Sequence, residues 1–90
     1  MTVERRITII NRLGLHARAA SKFVNVSNRY TSRINVANAG KVVNGKSIMS
    51  VMLLAATQGT ELLLEIDGDD EEEALQAIVG LIEAKFGESE

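Results

Sequence analysis

The chain has one histidine, His16, and its position marks it as the residue best placed to do covalent chemistry. His16 lies where a loop that contains Gly14 gives way to a helical pattern, and Arg18 follows it by two positions. The backbone N–H groups in the first turn of a helix have no intrahelical partner, and together with the helix dipole they favour a bound anion. The spacing therefore predicts an anion site at His16.

The residue types around His16 indicate what that anion would be. The positive field at the N-terminal end of a helix disfavours an imidazolium and so keeps the ring neutral. A neutral ring nitrogen is a nucleophile. One interpretation of these residues is that His16 accepts a phosphoryl group, which the backbone N–H groups of Ala17 and Arg18 and the Arg18 guanidinium then stabilise. The residues alone leave a second interpretation open, in which His16 is an ordinary helix cap or an exposed histidine without a chemical function.

Several other kinds of chemistry lack the residues that they need. The chain has no cysteine, which excludes disulfides and thiolate nucleophiles, and one histidine is too few for a typical zinc site. No second titratable group is expected beside His16, and we find neither a glycine-rich phosphate loop nor paired catalytic carboxylates. We therefore expect a protein that is not an enzyme and that uses no metal and no cofactor.

Charge is divided unevenly along the chain, although the net charge is only −2. Residues 1–47 carry nine basic residues and one acidic residue, a net charge of +8. Residues 48–90 carry one lysine and eleven acidic residues, a net charge of −10. This division predicts a positive face that meets an anionic partner, although both halves could simply be solvated surface.

The hydropathy pattern predicts seven elements that would position His16. Strands show alternating apolar residues and helices show apolar residues at helical spacing. The predicted strands are Val3 to Ile10, Ser32 to Ala37, Val42 to Val43 and Glu61 to Ile66, and the first two helices are Ala17 to Asn28 and Ser47 to Ala56. In the first helix Ala20, Phe23, Val24 and Ser27 share one face.

A third helix follows the last strand. Its predicted inner face consists of Leu75, Ile78, Val79, Ile82 and Phe86, and Asp70 with Glu73 has the spacing of a capping box at its start. The element order is therefore β-α-β-β-α-β-α. Because the strands are short and amphipathic, they favour an antiparallel sheet with helices on one face, an α+β two-layer fold.

Two motifs make the resemblance to a known family specific. The run Leu13-Gly14-Leu15-His16-Ala17-Arg18 resembles the active-site motif of HPr, the histidine phosphocarrier of the bacterial phosphotransferase system, and Asn44-Gly45-Lys46-Ser47-Ile48-Met49 resembles its regulatory serine segment. The resemblance covers the whole chain, so we expect one HPr-like domain over residues 1–90. It implies an open-faced sandwich with a four-stranded antiparallel sheet and three helices on one side.

The family resemblance also implies a mechanism and partners. His16 would be phosphorylated on Nδ1 by enzyme I and would pass the group to an enzyme II A-component in sugar uptake and its regulation. Ser47 would be the target of an HPr kinase/phosphorylase, although a serine that opens a helix is otherwise an N-cap. Relatives commonly have a proline after the arginine, whereas this chain has Ala19, and we expect a minor effect because alanine is a good helix former.

A surface for partner proteins is the remaining prediction of the resemblance. By default the apolar residues of a helix face belong to the core, but the family implies that part of the set Leu15, Ile48, Met49 and Met52 is an exposed patch near His16. Basic residues would surround that patch and attract acidic partners, namely Arg12, Arg18, Lys22 and Lys46.

Three alternatives to the sugar-branch carrier remain open. One is a nitrogen-branch paralogue with the same chemistry, and another is a regulatory module that partners recognise through Ser47. A nucleic-acid module is disfavoured because the predicted strands carry no aromatic residues for base stacking. We expect a monomer in the cytoplasm without membrane insertion, because Glu4 to Arg6 interrupt any signal peptide and the longest apolar run, Val51 to Ala56, is too short to span a bilayer.

Overall fold

The computed structural model describes residues 2–90, and its architecture is a four-stranded antiparallel sheet with three helices. The strands are β1 (Thr2–Thr8), β2 (Arg33–Asn38), β3 (Lys41–Asn44) and β4 (Glu61–Asp67), and the helices are α1 (Ala17–Ser27), α2 (Ile48–Leu53) and α3 (Glu71–Glu83). A short 3₁₀ turn, Lys85–Gly87, follows α3. The sheet order is β1-β4-β2-β3, which confirms the predicted α+β open-faced sandwich.

Strand β4 shows why the sheet has one covered face. Leu62, Leu64 and Ile66 alternate along it and are fully buried, whereas Glu61 and Glu65 point to the opposite side. The antiparallel register brings Ile66 opposite Ile34 of β2, and the flanking strands add further apolar residues to the same face. Burial of this face against the helices is the main stabilising contribution, at about 25 cal/mol per Å² of apolar surface.

The helices supply the other half of the core on the predicted faces. In α1 the residues Ala20, Phe23, Val24 and Ser27 are buried, and in α3 the residues Leu75, Ile78, Val79 and Ile82 are buried. The two phenylalanines, Phe23 and Phe86, are among the largest fully buried side chains. None of the helices in residues 2–90 has the length and apolar composition needed to cross a membrane.

Three element ends differ from the predictions by more than one residue. Strand β1 ends at Thr8, because Ile9 bonds to the loop residues Gly59 and Thr60 instead of continuing the ladder. Helix α2 ends at Leu53, because Ala55 adopts a positive φ of 51° that stops the helical path. Phe86 is buried as expected, but it lies in the 3₁₀ turn and not on α3.

The predicted capping box at the start of α3 is wrong. Asp70 is the N-cap residue, but its side chain makes no capping hydrogen bond. Its carboxylate instead accepts hydrogen bonds from the backbone N–H of Thr31 and from the N–H and hydroxyl of Ser32, at 2.9, 2.9 and 2.5 Å. Asp70 therefore fastens the turn before β2 to the start of α3, and these bonds lower its pKa to about 2.

Candidate functional site

The loop before α1 is held in place by a close approach of two backbones. Gly14 has a φ of +68°, and a Cβ atom there would lie 2.5 Å from the carbonyl oxygen of Ala56 and 2.9 Å from the Cα of Thr57. The next backbone N–H, that of Leu15, donates to the same Ala56 oxygen at 2.8 Å. The loop is thus fixed against residues 56–57, and His16 follows it directly.

His16 is the N-cap residue of α1, as the sequence predicts. Its backbone is extended, with φ −71° and ψ 177°, and its side chain makes no capping bond. The first helical hydrogen bond runs from Ala20 N–H to His16 C=O at 2.8 Å, so the N–H groups of Ala17, Arg18 and Ala19 have no partner within the helix. No acidic residue lies in this first turn. The start of α1 therefore offers free donors and a positive dipole end to an anion.

The His16 ring has one engaged and one free nitrogen. Nε2 lies 2.5 Å from Oε2 of Glu88, a residue 72 positions later in the chain, whereas Nδ1 makes no hydrogen bond within residues 2–90. The expectation that no second titratable group stands beside His16 is therefore wrong. The ring is 28% exposed and the Glu88 side chain 18%, so both remain within reach of solvent.

Glu88 is held from its other side by a buried amide. Its Oε1 accepts a hydrogen bond from Nδ2 of Asn11 at 3.0 Å, and the same Nδ2 donates to the carbonyl of Gly14 at 2.9 Å. The bond to the His16 ring, followed by the bond from Asn11, lowers the pKa of Glu88 below its ordinary value despite some desolvation. Glu88 is consequently a carboxylate at neutral pH.

The predicted basic residues fall into two groups. Arg18 is exposed and makes no hydrogen bond or ion pair within the described part of the chain, so its guanidinium is available for a phosphate. The others are engaged: Arg12 pairs with Glu90 at 2.9 Å, Lys22 donates to the carbonyl of Phe86 at 2.6 Å, and Lys46 donates to the carbonyl of Tyr30 at 2.6 Å.

Ser47 is the N-cap of α2, which agrees with the default interpretation of a serine at this place. Its Oγ accepts a hydrogen bond from the N–H of Ser50 at 3.3 Å, and the residue is half-buried. The hydroxyl is therefore engaged only in a long capping bond. Ile48 and Met49, which follow immediately, are exposed.

Helix α2 leaves a row of apolar side chains uncovered. Their exposed fractions are 42% for Ile48, 75% for Met49, 41% for Met52 and 61% for Leu53, and we call this set the α2 patch. Helix α2 packs against α1, which places the patch on an element next to that of His16. The default expectation of a core position for Met52 is wrong, since the short helix buries only Val51.

The exposed apolar surface differs from the predicted set at three residues. Leu15 is not part of an exposed patch, because the turn at Gly14 directs its side chain into the core, where it is 5% exposed. The prediction missed Leu53 and Leu13, which are 61% and 65% exposed. The signal for Leu53 was available, because it lies four positions after Met49 on the same helix face.

The family model described as "PTS HPr component phosphorylation site" matches residues 3–84 of this chain. The Phosphocarrier protein HPr of Pseudomonas aeruginosa is 56% identical over 85 residues, which cover 93% of this chain and 94% of the relative. A solved structure of HPr-C-His from Thermoanaerobacter tengcongensis has a TM-score of 0.95 and 49% identity, and the match covers 98% of this chain and 99% of that one.

A second solved structure from that organism, described as an HPr dimer, has a TM-score of 0.78 and 51% identity, and the match covers 91% of this chain and 94% of that one. The matches therefore extend over nearly the full chain in both sequence and fold. No group of three or more His, Cys, Asp or Glu side chains within residues 2–90 is arranged to hold a metal ion. The chain belongs to the HPr family, the phosphocarrier proteins of the phosphotransferase system.

Proposed function

We propose that His16 accepts a phosphoryl group from phospho-enzyme I and passes it to an enzyme II A-component in sugar uptake and its regulation. The observation that carries this proposal is the free Nδ1 of His16 at the start of α1, beside backbone N–H groups that have no helical partner. The match to a family model for a phosphorylation site supports it.

The proposed transfer needs only groups that this chain supplies. The lone pair of His16 Nδ1 attacks phosphorus, and the bond between phosphorus and the donor group of enzyme I breaks, with its electron pair leaving on that group. The phosphoryl oxygens then meet the N–H groups of Ala17 and Arg18 and the Arg18 guanidinium, which are anion-binding donors. The acceptor protein takes the group by the reverse displacement, so no cofactor is required.

The test of this proposal is phosphoryl transfer from phosphoenolpyruvate in the presence of enzyme I. We expect an acid-labile, alkali-stable phosphate on the parent protein and none on His16→Ala. For Arg18→Ala we expect a fall of about ten-fold in the rate, since a charge-assisted bond to phosphate is lost. Arg29→Ala removes another exposed arginine, outside the site, and is the matched control. Equal labelling of the His16→Ala variant would refute the proposal.

We also propose that Ser47 is a regulatory phosphorylation site for an HPr kinase/phosphorylase. A phosphoryl group on Ser47 would add about −1.5 to −2 charges next to the α2 patch, where enzyme I would dock. The proposed effect is on docking, because negative charge there repels an acidic partner. Phosphate at this position would also end the long capping bond to Ser50.

A pair of variants separates charge from capping at Ser47. Asparagine and aspartate have nearly the same shape, and both cap helices well. We expect Ser47→Asp to accept phosphate from enzyme I more slowly than the parent, through a higher KM, and Ser47→Asn to behave as the parent does. Equal rates for the two variants would show that charge at Ser47 does not control docking.

Three further features of the proposal concern the cellular setting. Acidic partners would bind in the cytoplasm at the α2 patch, with Arg12, Arg18, Lys22 and Lys46 around it. The Lys46-Ser47-Ile48 segment favours the sugar branch over the nitrogen branch.

The family model over residues 3–84 supports one domain over 1–90. We propose a monomer, and light scattering would distinguish it from a dimer like the one described for the relative.

A further inference from the structure

The last residues of the chain return to the site because the backbone reverses after α3. Lys85 and Phe86 both have a φ of 56°, a left-handed conformation that is uncommon for residues other than glycine. The Phe86 side chain is buried in the core at 1% exposure. Beyond it, Glu90 is tied to Arg12 through a backbone bond of 2.7 Å and an ion pair of 2.9 Å. Glu88 is therefore anchored from both sides.

The partners of Glu88 determine which atoms can carry protons. Asn11 is fully buried, and its Nδ2 donates both to the Gly14 carbonyl and to Glu88 Oε1. Both of these partners are acceptors, so the Asn11 amide cannot rotate by half a turn without losing two hydrogen bonds. Asn11 thus requires an acceptor atom at the position of Oε1, and Oε2 is left to face His16.

We propose that Glu88 is a positioning residue that holds the neutral His16 ring in the tautomer with its proton on Nε2. An ionised carboxylate has no proton to donate, so the Nε2 atom 2.5 Å away must be the donor. A neutral imidazole carries one N–H, so Nδ1 then has the free lone pair. This inference rests on the proposed function, because the lone pair matters only if Nδ1 is the phosphoryl acceptor.

The same carboxylate favours the chemical step itself. When Nδ1 forms its bond to phosphorus, the ring gains positive charge, while the Nε2 proton stays in place. Glu88 offsets that charge through the bond to Nε2, as a carboxylate does when it orients a catalytic histidine. The other charged groups near this pair are Lys22, the Arg12–Glu90 ion pair and Arg18, and none of them bonds to the ring.

Glu88→Gln provides a specific test because an amide of the same shape has only one acceptor atom. Asn11 still requires an acceptor, so the amide oxygen would face Asn11 and the amide NH₂ would face His16. Nε2 must then accept, which moves the ring proton to Nδ1 and removes the lone pair. Glu90→Gln removes one charge from the same tail without touching His16, and it leaves the backbone bond between Arg12 N–H and the Glu90 carbonyl in place, so it is the matched control.

Two measurements test whether Glu88→Gln moves the ring proton of His16. Heteronuclear NMR of the ring nitrogens, at a pH where the ring is neutral, should show the proton on Nε2 in the parent and in Glu90→Gln, and on Nδ1 in Glu88→Gln. For Glu88→Gln, the kcat of phosphorylation by enzyme I should fall at least ten-fold with little change in KM. Loss of a residue that orients a metal-binding histidine has an effect of similar size, roughly 10–100-fold.

The outcomes separate this inference from the proposed function. The inference is refuted if Glu88→Gln has the parental tautomer, or if it is phosphorylated at the parental rate or faster. Faster phosphorylation would mean that Glu88 hinders access to His16. If the parent is not phosphorylated by enzyme I at all, the proposed function fails, while the NMR comparison still shows whether Glu88 sets the tautomer. Thermal unfolding of each variant checks that the fold is retained.

Discussion

Substitution of Gly14 by alanine should loosen the loop before α1 from residues 56–57. The new methyl group would lie 2.5 Å from the Ala56 carbonyl oxygen, about 1 Å closer than a van der Waals contact allows. A left-handed conformation adds about 1–2 kcal/mol for a residue with a Cβ, and overpacking adds about 1–3 kcal/mol. Relief of the clash would also weaken the bond from Leu15 N–H to Ala56, a further loss of about 1 kcal/mol.

The expected loss for Gly14→Ala is therefore about 3–6 kcal/mol, a large share of the 5–15 kcal/mol that is typical of a domain. Gly40→Ala is the matched control, because Gly40 also has a positive φ, of +86°, but its Cβ would meet no atom within 4 Å. We expect the control to lose only about 1–2 kcal/mol. Urea denaturation of both variants measures the difference, and equal losses would show that the close approach to residues 56–57 does not hold the loop.

Two further predictions concern acid stability and the division between core and surface. The lowered pKa of Asp70, about 2 against an ordinary 3.8, means that its bonds stabilise the fold above pH 3.8 and that this stability is lost as the pH falls through about 2. As the pH falls from 3.8 to about 2 in an acid titration, Asp70→Asn should therefore lose less stability than the parent does. The exposed control Asp69→Asn should behave as the parent does. Leu15→Ala should cost about 2–5 kcal/mol in urea denaturation, whereas Met49→Ala should change stability by less than about 0.5 kcal/mol. Similar losses for these two variants would contradict the assignment of Leu15 to the core.

The elements that depend on local patterns could be predicted from the sequence. The alternation of Leu62, Leu64 and Ile66 defines both the strand and its buried face, and the apolar spacing around Phe23 defines the inner face of α1. The placement of His16 at the start of α1 also followed from local signals, because a glycine-containing loop precedes a helical pattern there. Such features require only near neighbours in the chain.

The features that the sequence did not predict depend on distant partners. Asp70 has the spacing of a capping residue, but its carboxylate is used by Thr31 and Ser32, which lie 38 or more positions earlier. Glu88 reaches His16 across 72 positions only because Lys85 and Phe86 adopt a left-handed conformation. Neither residue type favours that conformation, so no local rule could have placed the carboxylate beside the ring.

The single free ring nitrogen would have a kinetic consequence for a carrier that exchanges phosphate with the two proposed partners. If donor and acceptor must both reach His16 Nδ1, they cannot be bound at the same time, so each complex has to dissociate before the next one forms. With an association rate constant of about 10⁷ M⁻¹s⁻¹, a complex with a Kd of about 1 μM lasts about 0.1 s. A relay with about 100 turnovers per second therefore requires Kd values of about 10 μM or weaker. If partners dock on the α2 patch as proposed, its small extent suits this requirement, since a larger apolar contact would lengthen each encounter and slow the passage of phosphate between partners.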